Sequence, residues 1–462
     1  MKDILRKLML VLSFVAAVGL AGCDDDDDCE TCPTCETTTE EWDATLSGDL
    51  TESTTLDASK VYRVKGFVNV EPGVTLTIPA GTKLIGLKGE LATLQTLRGD
   101  GTKASGQIIA EGTAASPIVF TSAAAEGYRS RGDIGGIVLN GLAKNNVEGG
   151  TRTGEGNAAS GGGDDDTDNS GTLKYVRVEW GGTVISEGNE INGFSFNSVG
   201  SGTTLEHLQS HFIADDGYEW WGGTVSAKYL VSTGVDDDNF DMDNGWTGNF
   251  QFAVCIQDPN IGNSGFESSN DDDGSDNTPL THPTGYNVTL VGAYDGSKED
   301  DGLLLKSNMS GTFKNIIIAN FADYGVYFKD DKTASNFMDA AAGDDDKLTL
   351  SNIMVYCKGT TESNNTSSIF NPTSKVGTST VEAIEAELTA NTVFGGDPEW
   401  AYAYPDDPFE GTVPDLIPTS SEVTSKAAVI SAGDFFEATD YIGAFDPNGS
   451  NWMSGWTNWD RE

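Results

Sequence analysis

Aspartates recur along one stretch of this sequence at a spacing that can bring their carboxylates together. Asp215-Asp216 is followed 21 residues later by Asp236-Asp237. The full set predicted to form a site is Asp215, Asp216, Asp236, Asp237, Asp238, Asp241 and Asp243. Like charges a few ångströms apart cost energy unless a cation neutralises them or one is protonated. Since Ca²⁺ takes six to eight oxygen ligands, the set predicts a calcium site.

A solvated acidic edge is the other interpretation of these aspartates, because charge along an edge also prevents aggregation. Asp241-x-Asp243-x-Gly245 resembles the start of a calcium loop, but no glutamate follows at EF-hand spacing. Recurrence of the aspartate pairs at a regular interval favours calcium.

Catalytic residues are harder to nominate. A polysaccharide lyase needs a basic residue beside bound calcium, and Lys228 lies between the two aspartate pairs. Hydrolysis needs paired carboxylates, but so many aspartates are present that none can be singled out. His207 and His211 have an even spacing within one β-run and could bind a metal, yet no third ligand is evident. We therefore predict no catalytic residue.

The elements that must position the aspartates are short β-rich runs separated by glycine and polar turns. Gly202, Gly223 and Gly245 are 21 and 22 residues apart. That period matches one turn of a parallel β-helix, with glycines at corners of positive φ. The blades of a β-propeller, the main rival, are about twice this length. We predict an all-β fold, a single-stranded right-handed parallel β-helix.

The predicted organisation has four parts: a signal peptide over 1–22, an acidic tether over 23–41, the β-helix over 42–370 and a C-terminal capping region over 371–462. Loops project from the stack over residues 142–171, 259–285 and 332–347, the first of them flexible. The C-terminal region is irregular and contains one short helix, from Thr380 to Thr389.

Three tryptophans near the C-terminus are predicted to cover the last coil, because a solenoid must protect its end. They are Trp452, Trp456 and Trp459. This interpretation is favoured over sugar binding.

The N-terminus has the pattern of an export signal. Lys2, Arg6 and Lys7 precede an apolar run from Leu8 to Leu20. The small residues before Cys23 resemble the lipobox of bacterial lipoproteins, which implies lipidation of Cys23 and attachment to a membrane. Cys29, Cys32 and Cys35 lie just beyond and are interpreted as exposed thiols rather than a metal site.

The chain of 462 residues has a formal net charge of −45. Without residues 1–22 it holds 24 basic and 71 acidic residues. Such a field repels nucleic acid and favours cations. Nucleic-acid binding is therefore excluded.

Several motifs of this chain form a recognisable set: Ala214 to Val225, Lys228 to Val231, Asp236 to Asp243, Gly245 to Gly248, Asn270 to Gly274 with His282, Asn287 to Gly292, and Tyr441 to Phe445 with Trp452 and Gly455 to Thr457. The set resembles a family of secreted right-handed β-helix proteins found in Bacteroidetes and some Proteobacteria. The resemblance spans roughly residues 50 to 460. It implies the fold and export and carries no catalytic residue with it.

Together these features predict a non-catalytic surface lipoprotein that acts in adhesion, matrix contact or glycan binding. The acidic run from Asp24 to Asp28 resembles signals that send Bacteroidetes lipoproteins to the outer face of the outer membrane. The alternative function is a calcium-dependent polysaccharide lyase or glycoside hydrolase. Fold alone does not decide between them.

Overall fold

The computed structural model describes residues 39–186, 188–293, 300–356, 370–371, 381–391, 393–404 and 407–461. Residues from Thr39 onward form one compact unit. The predictions on residues 1–22, on Cys23 and on the cysteines of the tether lie outside the described residues. Within the described ranges, no helix has the length and apolar character needed to cross a bilayer.

The strands stack in three ladders, one for each side of the coil. The first ladder contains β1 (Ala44–Leu50), β3 (Val61–Val70), β6 (Thr93–Thr96), β9 (Ile137–Asn140), β13 (Phe194–Val199), β15 (Tyr218–Gly223), β17 (Phe240–Asp243), β19 (Phe266–Ser268), β21 (Asp301–Leu305), β23 (Tyr324–Phe328) and β25 (Phe370–Asn371). The second contains β2 (Thr54–Thr55), β4 (Thr75–Pro79), β7 (Gln107–Glu111), β10 (Gly171–Glu179), β14 (Thr204–His211), β16 (Ala227–Thr233), β18 (Asn249–Ile256), β20 (Thr284–Val291), β22 (Gly311–Ala319) and β24 (Leu348–Tyr356).

The third ladder begins with the N-terminal halves of β1 and β3, followed by β5 (Lys83–Gly86) and β8 (Ile118–Ser122). The C-terminal half of β10 pairs with β8, and the later long strands continue this ladder. It ends with β26 (Val393–Gly395), which pairs with the C-terminal part of β24. Every pairing within the three ladders is parallel, whereas propeller blades are antiparallel. The only antiparallel pair of named strands in the described part is a side hairpin of β11 (Val184–Ser186) and β12 (Asn189–Glu190). The predicted parallel β-helix is confirmed.

An aromatic column fills the interior behind the first ladder. Phe194, Tyr218, Phe240 and Phe266 pair in register, and all are at most 1% exposed. Their ring centroids are 5.1, 5.3 and 4.9 Å apart. Each such pair contributes about 0.5–1.5 kcal/mol beyond the burial of its area. The column therefore fixes the register of the strands whose outward faces carry the acidic residues.

The long strands turn between the second and third ladders at single residues with positive φ. These are not glycines: they are Tyr175, His207, Tyr229, Phe252, Asn287, Asn315 and Asn352, with φ between 50° and 62°. Positive φ costs free energy for bulky side chains. Stacking offsets that cost, since the rings of the first four lie 4.2, 4.3 and 4.8 Å apart in succession.

Of the three glycines predicted at corners of positive φ, Gly223 and Gly245 have positive φ and Gly202 does not. Gly217, which precedes β15, has another role. A Cβ atom there would lie 2.5 Å from the Ser232 hydroxyl and 2.8 Å from the Asn239 carbonyl of the next coil. This glycine is required by the close approach of successive coils.

Two predicted insertions contain regular structure. The 259–285 segment includes β19, and the 332–347 segment includes most of α1 (Asp331–Met338). Helix α1 was missed because it is short; Asp330 accepts hydrogen bonds from Lys332 and Thr333 at its N-terminus. The predicted C-terminal helix is confirmed as α2 (Val381–Asn391), and α3 (Glu422–Ser425) follows.

The C-terminal residues 407–461, which we call the strap, run back along the flank of the stack. Asn352 and Asn315 donate to the carbonyls of Lys426 and Ala428 at 2.6 and 2.8 Å. At the other end Arg177 donates to the Trp456 carbonyl at 2.9 Å. The prediction that the tryptophans cover the last coil is wrong, because Trp456 packs against Tyr175, His207 and their neighbours on the flank.

Candidate cation-binding site

The outward face of the first ladder carries acidic side chains on three successive coils. Glu219 of β15 pairs with Asp241 of β17, which pairs with Glu267 of β19. Each lies one residue beyond a member of the aromatic column, so the alternation of a β-strand turns the acid outward where the ring points inward. The ladder therefore stacks three carboxylates directly above one another.

The corner before these strands adds the aspartate pairs. Tyr218 pairs with Phe240, a shift of 22 residues, and the Asp238 N–H donates to Asp216 Oδ1 at 2.9 Å. The predicted shift of 21 is therefore one residue short: Asp216 lies beneath Asp238. The corner aspartates also have a structural role, since Asp238 Oδ1 accepts from the Ser264 N–H of the next coil at 2.6 Å.

Two groups of three acids have ligand atoms within 4.8 Å of one another. The first is Asp215, Asp216 and Asp237, and the second is Asp216, Glu219 and Asp241. Asp216 belongs to both, so the groups form one continuous acid cluster. One oxygen of Asp216 accepts a backbone hydrogen bond, and a carboxylate has further lone pairs for a cation.

Burial and mutual repulsion disfavour the ionised forms of these acids. Burial, with repulsion from Asp237, raises the pKa of Asp215 to about 8. Burial raises the pKa of Asp216, Glu219 and Asp241 well above the usual range, with further repulsion from the neighbouring carboxylates. A cation would relieve both effects.

One oxygen in the cluster has no partner. Asp241 Oδ1 is buried and makes no hydrogen bond to the described residues. Lys306 forms an ion pair with Glu267 at the edge of the cluster. Burial opposes the charge of Lys306, but the carboxylates of Glu267 and Asp241 raise its pKa to about 12. One lysine cannot balance so many acids, and the donor set is all oxygen, as Ca²⁺ requires.

The predicted loop over 142–171 packs back onto the strands beside the cluster rather than projecting away. The Arg152 guanidinium lies 3.7 Å from the ring centroid of Trp221 on β15. The short 3₁₀ turn Glu155–Asn157 follows and brings the carboxyl group of Glu155 close to that of Glu219. Burial raises the pKa of Glu155.

Asp236, Asp238 and Asp243, all predicted ligands, lie outside the two groups of three. Asp236 is exposed. Asp243 lies at the end of β17, pairs with Trp221 and accepts from the N–H of Asn244 at 2.6 Å. Burial raises the pKa of Asp243 to about 6. The shift of 22 residues explains the position of Asp236, because it moves Asp237 and Asp238 into line with the first aspartate pair.

The predicted basic and imidazole candidates do not belong to the acid cluster. Lys228 lies on the second ladder, where it pairs with Glu437 of the strap at 3.3 Å. His207 forms the bend and stacks between Tyr175 and Tyr229. His211, beyond the bend, is buried and bonded to the Asp460 carbonyl at 3.0 Å. The two histidines do not form a metal pair.

Residues 48–404 match the family described as pectate-lyase-like beta helix domain. The chain belongs to this family. The match spans every strand of the three ladders from β2 to β26 and ends before the strap. No curated protein and no solved structure matches the chain.

In this pectate-lyase-like β-helix, the sequence prediction missed Glu219 of the acid cluster and three residues beside it, Glu267, Glu155 and Arg152. Glu219 and Glu267 were detectable, because each follows an aromatic residue at the start of a first-ladder strand, as Asp241 does. Glu155 and Arg152 had no such signal, since they come from a loop whose position depends on the tertiary fold.

Proposed function

We propose that this protein is a lipid-anchored, non-catalytic surface protein that binds glycan or extracellular matrix and holds Ca²⁺ in the acid cluster. Cys23 carries the lipid, and the chain is attached to the outer face of the outer membrane. The acid cluster supports the calcium part of this proposal most directly, because it combines two groups of close carboxylates with a buried, unpartnered oxygen.

Asp215, Asp216, Asp237, Glu219 and Asp241 would hold the ion. Bound Ca²⁺ would supply positive charge where burial otherwise disfavours ionised carboxylates. The residues themselves hold three coils in register, since Asp216 and Asp238 each accept a backbone N–H from the coil above. Cation binding would therefore strengthen the stack that presents the outer surface.

Two observations favour the non-catalytic function. Lys228, the candidate base, is occupied by Glu437 and by the ring of Phe435, 4.8 Å away. Lys306 is held in its charged form by its acidic neighbours, and a charged lysine cannot abstract a proton.

A calcium-dependent polysaccharide lyase or glycoside hydrolase is the second candidate. It is favoured by Arg152, which brings a cation to the side of the cluster, and by Asp215, a carboxyl with a raised pKa close to Asp237. A protonated acid beside a second carboxylate is the pair that hydrolysis uses. The family description fits both candidates.

A panel of acidic and neutral polysaccharides separates the two functions. For the non-catalytic protein we expect retention on at least one polysaccharide, with no unsaturated product and no new reducing ends. Absorbance of the unsaturated product and a reducing-end assay measure the two reactions. Product that requires calcium and disappears in Asp215→Asn would establish the enzyme instead.

Replacing Cys23 with serine should move the protein from the membrane fraction to the soluble fraction. Acyl chains contribute about 0.8 kcal/mol per buried methylene, so their loss removes the anchor. Fractionation and metabolic labelling with a fatty acid measure the effect. Cys29→Ser is the matched control and should stay at the membrane; equal labelling of Cys23→Ser would show that the anchor lies elsewhere.

A further inference from the structure

A groove unrelated to the acid cluster lies on the turns that connect the first ladder to the second. Two neighbouring cavities, each of about 560 Å³, share Thr278, Leu280 and Asp346. One side is the segment between β19 and β20, and the other is α1 with the loop that follows it. Cavities of this size are in the range that holds small organic ligands.

The lining combines hydroxyl and amide groups with a small apolar surface. Thr247, Thr278, Thr284 and Ser335 contribute hydroxyls, while Pro279 and Leu280 contribute the apolar part. Hydroxyls and carboxylates suit the polar edges of a sugar, and the apolar part suits its C–H face. Among the described residues, no phenylalanine, tyrosine or tryptophan lines either cavity.

His282 is oriented by the protein itself. Its Nδ1 lies 2.9 Å from the Asp345 carbonyl and 3.0 Å from the Ser310 hydroxyl. The carbonyl can only accept, and the hydroxyl has two carbonyls to which it can donate, so Nδ1 carries the proton. This leaves Nε2 of the partly exposed ring available to a ligand in the cavity that it lines.

The charge of the groove selects among sugars. Carboxylates of Asp276, Asp331, Asp345 and Asp346 border it, and the only basic side chain in its described lining is Lys332, which pairs with Asp276 at 3.0 Å. An anionic sugar would face repulsion from these carboxylates. An amine would face attraction, and its ammonium could reach Asp346 from either cavity.

We propose that this groove binds an oligosaccharide that carries free amino groups. The inference rests on the proposed glycan-binding function and specifies its ligand class and its place. The sugar hydroxyls meet the threonine and serine hydroxyls, the C–H face lies on Pro279 and Leu280, and the ammonium groups pair with Asp345 and Asp346. This site is separate from the acid cluster, so it does not depend on calcium.

Calorimetric titration of the purified mature protein tests the inference with three probes of equal length. We expect the tetramer of β-1,4-linked glucosamine to bind, with affinity that falls as salt rises. The fully N-acetylated tetramer should bind at least about tenfold more weakly, because it lacks the ammonium groups. Tetragalacturonate should not bind here. Equal affinity for the first two probes would overturn the inference.

Asp345→Asn with Asp346→Asn removes the shared acidic wall, and we expect it to weaken glucosamine binding about fivefold or more. The matched control is Asp272→Asn with Asp273→Asn, two exposed aspartates of the same segment that line neither cavity. Undiminished binding in the first variant would place the sugar elsewhere and leave the glycan-binding function intact. Failure of every polysaccharide and of all three tetramers would overturn both proposals.

Discussion

Replacing Phe240 with alanine is expected to lower the free energy of unfolding by about 3–5 kcal/mol, as for other buried phenylalanines. Phe240 is 0% exposed and lies between Tyr218 and Phe266 in the aromatic column. The variant loses two ring contacts and leaves a cavity that the stacked backbone cannot close. Chemical denaturation followed by circular dichroism measures the change.

Tyr128→Ala is the control for that experiment, because Tyr128 is 57% exposed and outside the stack. We expect it to change stability by less than about 0.5 kcal/mol. If both variants lose the same stability, the column does not hold the coils. The Phe240 variant should also bind calcium more weakly, since Asp241 is the next residue on the same strand.

Calcium is expected to raise the stability of the wild type by about 2.7 kcal/mol when its free concentration is a hundredfold above the dissociation constant. The reason is that the ion binds carboxylates gathered only in the folded chain. Thermal unfolding in calcium and in chelator, at equal ionic strength, measures the effect. Asp237→Asn with Asp241→Asn should abolish it.

The matched control is Asp236→Asn with Asp273→Asn, which makes the same change of charge at exposed positions outside the acid cluster. This variant should keep the calcium effect. A rise of equal size for every divalent ion, retained in the cluster variant, would indicate ordinary screening and a solvated acidic edge.

In the presence of chelator, the free energy of unfolding is expected to depend on pH in one direction. The pKa of Asp215 is raised to about 8 and that of Asp243 to about 6, so the folded chain binds more protons than the unfolded chain between pH 4 and 8. Stability therefore falls as pH rises through this window. Saturating calcium should reduce the slope, because the ion replaces the proton of Asp215 in the acid cluster.

The β-helix could be predicted because short strands, and the glycines between them, recur at the length of one coil. The sequence alone does not determine how the corner aspartates of successive coils align. Asp236, Asp237 and Asp238 are consecutive, so either of two alignments stacks acids on Asp215 and Asp216. Pairing of Tyr218 with Phe240 decides between them, and that pairing depends on how the rings pack.

Other features depend on contacts between distant parts of the chain. His207 and His211 have the even spacing of one strand face, but the bend at His207 separates them. A bulky residue at positive φ has no local signal, because its cost is offset by rings from neighbouring coils. The position of Arg152 over Trp221 likewise depends on how the loop packs against the strands.

The contacts of this chain fall into two classes of sequence separation: those between neighbouring coils and those of the strap. Each coil pairs with the next over a few tens of residues, whereas Arg177 and Trp456 are 279 residues apart. Contacts between near neighbours form quickly, and distant ones form late. Successive coils can therefore fold one upon another, beginning with the N-terminal coils, before the strap is in place. The flank stays open until the strap binds, so the strap closes over coils that have already formed.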